Sequence, residues 1–195
     1  MDDPEIAIVG KGQIDRTMST LVAAFADDPV ERWLWPSAED YEGHFPSLLG
    51  AMGGGAFDHH TVWRLGDFLA VALWFPPNAS PNGDEIVDVL TNSVAEDKDD
   101  DMYRVLEQMD ANHPGYPHWY LPWFGVHPLR QGNGVGSQLL ETCLQTVDAD
   151  RLPAYLETPN PRNLSFYERH RFEVVGEARS GTCPPVTFML RPGQI

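Results

Sequence analysis

The sequence predicts an α/β (α+β) domain, a mixed sheet flanked by helices, and three observations predict it. Short apolar runs recur with helix-length segments between them, which calls for some parallel pairing. Two runs meet at Gly66-Asp67 and two more lie near the C-terminus, which adds antiparallel pairs. The chain has 195 residues, 42% of them hydrophobic, with six tryptophans, enough for one core without staples.

Each element follows in order. Residues 6–9 (IAIV) read as a short buried strand closed by Gly10 and Gly12. Ile14, Met18, Leu21, Val22 and Phe25 recur at helical spacing and predict a helix over 14–26, stopped by Asp27-Asp28-Pro29. Residues 30–36 are aromatic-rich and read as irregular, and a second helix is expected over 39–56. Strands over 61–65 and 68–75 form a hairpin with a two-residue turn. A Pro/Asn/Gly loop spans 75–84, and 84–110 reads as helix with an acidic break near 97–101. Residues 119–126 (WYLPWFGV) form a strand in which Pro122, lacking an N–H, demands a bulge or an irregular edge. A helix over 134–149 carries Val135, Leu139, Leu140 and Leu144 on one face. Strand 154–158, helix 163–170 and strands 172–178 and 186–191 complete the order.

The charge is 13 minus 29, or −16. Such a field repels nucleic acid and anionic membrane and attracts cationic small molecules. The acidic run at 96–101 needs only solvent. Cys143 and Cys183 show neither metal-ligand spacing nor a disulfide framework, so no metal is expected and a cytoplasmic location fits. The N-terminus is acidic where a signal peptide needs base, and no apolar stretch reaches the ~20 residues that span a bilayer.

The stretch Gln131-Gly132-Asn133-Gly134-Val135-Gly136 places three glycines in six residues where a helix begins. A helix start has N–H groups without internal acceptors and a partial positive charge, so it suits phosphate. Glycines let several N–H groups converge and keep Cβ atoms out of the way. Only Arg130 flanks the loop. It is not a Walker loop, because Gly-Lys-Ser/Thr is absent, and GxGxxG fails after Gly134. Taken alone, the loop is either a ligand-free helix entry or a phosphate cradle.

Its surroundings decide between the two. Gln131-x-x-Gly134-x-Gly136, preceded by Val126-His127-Pro128 and followed by an apolar helix, resembles motif A of the GCN5-related N-acetyltransferases (GNAT). Residues 156–177 (LETPNPRNLSFYERHRFEVVGE) resemble that family's second conserved block, and 23–29 (AAFADDP) its first helix and substrate loop. Within the family, HWYL, PAYLET, PRNLSFYER and the late VTFMLRPG are similar to puromycin N-acetyltransferase-like bacterial enzymes.

The resemblance implies one N-acetyltransferase domain over 1–195, with 1–115 as the acceptor-binding half and 116–195 as the acetyl-CoA-binding half. It implies a mostly antiparallel twisted sheet of six to seven strands with a splayed parallel pair at the cofactor site. Acetyl-CoA is then the co-substrate and a small-molecule amine the partner, by direct transfer in a ternary complex; a homodimer stays open. A protein or peptide acceptor, or a CoA-binding module without turnover, are the alternatives.

The implied roles fall on particular residues. Phe124, Gly125 and Val126 would pair with pantetheine as an added strand. Gln131, Gly132, Asn133, Gly134, Val135, Gly136 and Ser137 would hold the pyrophosphate, and Asn163 and Tyr167 would also contact the cofactor. Tyr167 would protonate the leaving thiolate; a free tyrosine at ~10 against a thiol at ~8.5 makes that uphill by roughly 2 kcal/mol. Glu157 stands where relatives place a catalytic glutamate, yet ~4.3 against ~10.4 for an ammonium is a mismatch of about six units. His118 is better matched, and His127 reads as solvated. Asp28, with Asp27, and Trp33, Leu34 and Trp35 are candidates for the acceptor site. Arg171-Phe172 replaces the Gly-Phe usual in relatives, so His170 or Arg171 is expected to take a strained helix cap.

Overall fold

The computed structural model describes residues 4–194; Met1–Asp3, part of the acidic N-terminus, and Ile195 lie outside that range. Strands β1 (Ile6–Ile8), β2 (Val62–Leu65), β3 (Ala70–Phe75), β4 (Trp119–Val126), β5 (Ala154–Thr158), β6 (Glu173–Ala178) and β7 (Val186–Arg191) form one sheet. Its order is β1-β2-β3-β4-β5-β7-β6. Every neighbouring pair is antiparallel except β4 and β5, which run parallel. Helices α1 (Ile14–Ala24), α2 (Pro29–Leu34), α3 (Ala38–Gly53), α4 (Gly83–Ser93), α5 (Asp99–Asn112), α6 (Val135–Ala149) and α7 (Leu164–Arg169) flank it. This is the expected fold, an open, mostly antiparallel sheet with one parallel pair.

Period-two alternation explains why β3 sits at the centre. All six of its residues are buried. Val71 and Leu73 face a core shared with Leu21 of α1 and Phe45 and Leu49 of α3. Ala70, Ala72 and Trp74 face Leu139, Leu140, Cys143 and Leu144 of α6 on the other side. A strand covered on both faces reads as a continuous apolar run, as FLAVALWF does.

Four local expectations are corrected. Residues 30–36 are not irregular: Pro29 opens α2, and Asp28 Oδ1 accepts from the N–H groups of Val30 (3.0 Å) and Glu31 (3.5 Å). The aromatics there obscured an N-cap with Pro at the first helical position. The break between α4 and α5 falls at 94–98, ahead of Asp99. Asp99, Asp100 and Asp101 form the first turn of α5, where carboxylates complement the helix dipole.

The β2–β3 turn has four residues, since Leu65 pairs with Ala70, and Gly66 and Phe68 both take positive φ (56° and 59°). Finally, β1 is a half-exposed edge strand rather than a buried one. Ile8 is 55% exposed, whereas Val9 beyond it is fully buried and donates to the Val62 carbonyl at 2.8 Å.

Two features prepare the site. On β4, Tyr120 packs with Phe75 and Tyr155 on one face and Leu121 with the α6 core on the other. Trp123 should follow Leu121 but instead joins the α1/α3 core. An extra residue at Pro122 flips the alternation, and the β3–β4 register shifts there, between Leu73 and Phe75. The expected bulge is therefore present, inside a central strand. At the end of α7, Arg171 takes φ 69°, the left-handed cap the missing glycine would have supplied. Arg191 Nε donates to the His170 carbonyl at 3.0 Å and its guanidinium pairs with Asp148, which ties that helix end to β7.

Candidate active site

The parallel pair β4–β5 is short. It registers only Trp119 with Ala154 and Tyr120 with Tyr155, and from Leu121 onward the strands part at the bulge. The gap opens into a cavity of about 790 Å3. Trp33, Tyr120, Trp123, Phe124, Glu157 and Tyr167 are among its walls. Tyr167 belongs to the α6-side core, yet it also lines this cavity between sheet and α2, α4 and α5. It reaches the cavity through the gap between the strands.

The gap leaves backbone groups of β4 without a strand partner. His127 N–H donates to the Leu69 carbonyl at 2.9 Å. Alternation along the antiparallel ladder then turns Trp123 and Gly125 toward β3, and Phe124 and Val126 toward the gap. Gln131 Nε2 donates to the Val126 carbonyl at 3.1 Å, so the loop's own glutamine fixes the end of that edge.

The loop itself is shaped as a cradle. Gly132 (φ 74°) and Gly134 (φ 79°) are left-handed, and Gly134 caps α6 without any side-chain bond. Gly132, Asn133 and Gly134 donate no backbone hydrogen bond among the described residues, and the first turn of α6 offers more free N–H groups. A Cβ on Gly136 would lie 3.2 Å from Val126, 3.4 Å from Phe166 and 3.5 Å from Phe124, so glycine lets α6 approach β4 closely. Ser137 has its Oγ 3.2 Å from His170 Nε2.

The acetyltransferase (GNAT) family profile matches residues 94–172, the span holding the parted strands, the glycine cradle and Tyr167. An N-acetyltransferase of Schizosaccharomyces pombe, itself described as uncharacterized, is 26% identical over 202 residues, covering 90% of this chain and 78% of that protein. Both comparisons liken this chain to GNAT acetyltransferases. The same comparisons support an acyltransferase. Among solved structures it is similar to a Corynebacterium glutamicum protein described as histone acetyltransferase HPA2 and related acetyltransferase. The two are 22% identical with a TM-score of 0.70, covering 100% of this chain and 98% of that one. The Drosophila melanogaster polyamine N-acetyltransferase, an enzyme that forms N-acetylagmatine, matches at 14% identity and TM-score 0.67, over 97% of this chain and 100% of that one. At these identities the two structures bear on the fold.

The GNAT family uses acetyl-CoA, and the residues present fit it. A helix start with unpaired N–H groups and two left-handed glycines suits a pyrophosphate, and a bare strand edge suits an amide-bearing chain. Asn163 lines the cavity and makes no capping bond to α7, which leaves its amide free toward that space. Gly125 serves packing instead: a Cβ there would lie 2.9 Å from Leu21 and 3.0 Å from Ala24 of α1.

The two catalytic candidates share the cavity. Burial, and then the charge of Asp28, holds the Tyr167 hydroxyl well above the ordinary phenol pKa, so it stays protonated. Glu157 Oε2 accepts from the Tyr120 hydroxyl at 2.6 Å, and its side chain is 8% exposed. Tyr120 in turn is pushed far up by burial and by the charge of Glu157, so it serves as a fixed donor.

The acceptor-site candidates divide. Trp33 lines the cavity, with Nε1 donating to Thr182 Oγ1 at 3.1 Å. Trp35 lies in the core, 1% exposed, bonded to Ser93 Oγ at 3.2 Å. Asp28 caps α2 and is not among the cavity walls; burial raises its pKa to about 6. His127 accepts from the Leu129 N–H at 3.3 Å in the turn after β4.

The residue that sequence reasoning missed is Glu31. It lines the cavity, its Oε2 is buried without a hydrogen-bond partner, and burial followed by the charge of Asp28 raises its pKa well above normal. The signal was present but misleading. Asp28-x-x-Glu31 has the spacing of a capping box, in which the glutamate would bond the N-cap N–H. Here that N–H donates to the Phe25 carbonyl at 2.9 Å, which leaves Glu31 free.

Proposed function

We propose that this enzyme transfers the acetyl group of acetyl-CoA to a primary amine of a small molecule, directly, with both bound together. The observation that carries the proposal is one cavity with Tyr167, Glu157 and Glu31 in its walls, opening where β4 and β5 part. Its remaining lining is largely apolar and aromatic, which suits a compact organic amine more than an extended peptide. The charge of −16 favours a cationic visitor, and an ammonium beside Glu31 would offset the cost of ionising that buried carboxylate.

Acetyl-CoA, when bound, supplies an activated acetyl group as a thioester. The chain's residues do the rest. The cradle from Gln131 to Ser137 and the free edge at Phe124 and Val126 fix the donor's position. The Phe124 N–H is offered to the carbonyl oxygen, on which negative charge develops. Holding amine and thioester in line can remove roughly 7–11 kcal/mol of barrier. Glu157, oriented by Tyr120, receives the proton that the amine sheds. Tyr167 donates its hydroxyl proton toward the departing sulfur. Its raised pKa makes full transfer costlier than for a free tyrosine, so the proton moves as the thiolate forms rather than before it. Cytoplasmic residence belongs to the same proposal, since Cys143 and Cys183 are both free.

A thiol-release assay with acetyl-CoA tests the proposal, using aryl-alkylamines, diamines, puromycin and a lysine-containing peptide as acceptors. Release with a small amine, and little with the peptide, is expected. Release with the peptide alone would replace the small-molecule acceptor. Acetyl-CoA binding without release for any acceptor would point to a module without turnover.

A further inference from the structure

Beside Glu157 stand two histidines that the mechanism above leaves unused, His113 in the cavity wall and His118 behind it. His113 follows the last turn of α5, and His118 precedes β4. The His118 Nε2 atom lies 3.1 Å from His113 Nε2, and His113 Nδ1 lies 3.8 Å from Glu157 Oε1. The His113 ring is held edge-on by Tyr120 and Tyr155, at centroid distances of 4.9 and 5.0 Å. On its own helix, Glu107 and Asp110 also line the cavity.

Proton accounting fixes the roles of the ring nitrogens. His118 Nδ1 lies 2.7 Å from the Tyr116 carbonyl, which only accepts, so Nδ1 carries the hydrogen. Neutral His118 therefore presents a bare Nε2. His113 must place its own hydrogen on Nε2 to bond there, which leaves its Nδ1 bare. That bare nitrogen faces Glu157 Oε1, while Glu157 Oε2 already accepts from Tyr120. A lone pair against a carboxylate oxygen is repulsive. One additional proton between Glu157 and His113 turns that contact into a charge-assisted bond.

We propose that His113 takes from Glu157 the proton that the acceptor amine loses, with His118 accepting the His113 Nε2–H and so stabilising the imidazolium. The inference rests on the reading of Glu157 as the first proton acceptor. The path balances: the proton leaves the amine nitrogen for Glu157 Oε1, passes to His113 Nδ1, and departs to water. His113 has a side chain 31% exposed, which gives water access. An imidazole is intrinsically a stronger base than a carboxylate, so it is the better station for a proton on its way to water. His113 acts behind Glu157 and need not touch substrate.

Imidazole 15N NMR on the intact protein tests the proton arrangement without any acceptor. The expected result is an Nε2–H tautomer for neutral His113 and an Nδ1–H tautomer for His118. An Nδ1–H tautomer for neutral His113 would overturn the proposal. The kinetic arm uses phenethylamine and acetyl-CoA. His113→Gln should lower kcat about tenfold at pH 7, with the deficit closing toward pH 9 and the acetyl-CoA KM unchanged. An undiminished rate, or a loss equal at every pH, would count against it. Absence of amine-dependent thiol release from the unaltered enzyme would instead defeat the acetyl-transfer reading, and the NMR arm would still decide the proton arrangement.

Discussion

The Tyr120 hydroxyl donates a 2.6 Å hydrogen bond to Glu157 Oε2, next to the last registered pair between β4 and β5. The bond bridges the two strands where they begin to part, and it holds one carboxylate oxygen while the other faces His113. A hydrogen bond to a charged group contributes about 1.5–3 kcal/mol. Tyr120→Phe keeps the ring packed against Phe75 and Tyr155. It should lower kcat/KM for the amine about tenfold or more while leaving acetyl-CoA affinity unchanged. Steady-state kinetics with each substrate varied, alongside calorimetry, checks both halves.

The glycine cradle makes a separate prediction. Gly134 is left-handed, with open space around its missing Cβ, so Gly134→Ala meets strain rather than a clash. Left-handed backbone costs an L-residue roughly 1–2 kcal/mol, which the loop can relieve by turning its N–H groups away. The variant should fold normally and bind acetyl-CoA about five- to tenfold more weakly, as read by calorimetry. The amine KM should stay where it was.

Asp28 gives a pH-dependent stability. Its carboxyl is raised from 3.8 to about 6, chiefly by burial, against the two N–H bonds that lower it. The folded protein thus binds the proton more tightly than the unfolded chain. Below pH 3.8 both states are protonated and no penalty exists. As pH rises through 6 the folded state must ionise a buried group, and stability falls by up to about 3 kcal/mol. Asp28→Asn keeps a capping oxygen and removes the charge. Its melting temperature should exceed that of the parent at pH 7.5, and the difference should vanish near pH 4. Thermal melts across that window measure it.

Arg171 carries the strain of the absent glycine, with φ 69°. Glycine there would lose about 0.5–1 kcal/mol in chain entropy against roughly 1–2 kcal/mol of relieved strain. It would also lose the exposed bond from Arg171 to Gln194. Arg171→Gly should therefore raise the melting temperature by about 2–4 °C at most, with kinetics unchanged. A calorimetric melt and the thiol-release rate together check it.

The legible parts of this protein were those whose physics is local. Pro122 in a strand foretold the bulge, because a residue without an N–H cannot complete a ladder. The glycines at 132, 134 and 136 marked a backbone able to turn its N–H groups inward, and Arg171 at a helix end marked a cap under strain. Less local features were hidden. Aromatics at 33 and 35 masked a helix opened by Asp28 and Pro29. Asp28 and Glu31 imitated a capping box and concealed a buried carboxylate in the cavity. His113 could not be connected with Glu157 at all, because the end of α5 meets β5 only through tertiary packing. Trp33 and Trp35 looked equivalent, and only the turn of α2 sends one to the cavity and the other to the core.

Tyr167→Phe is the most direct measurement of the central claim, that the hydroxyl in the gap between β4 and β5 serves acetyl transfer. The ring would keep its packing on Phe166 and Phe172, at 5.0 and 5.8 Å, so the fold should persist. General acid catalysis contributes about 10²–10⁴-fold. The account predicts a fall in kcat of about 100-fold or more, with acetyl-CoA binding within about threefold of the parent. Amine-dependent thiol release at the parent's rate would contradict it.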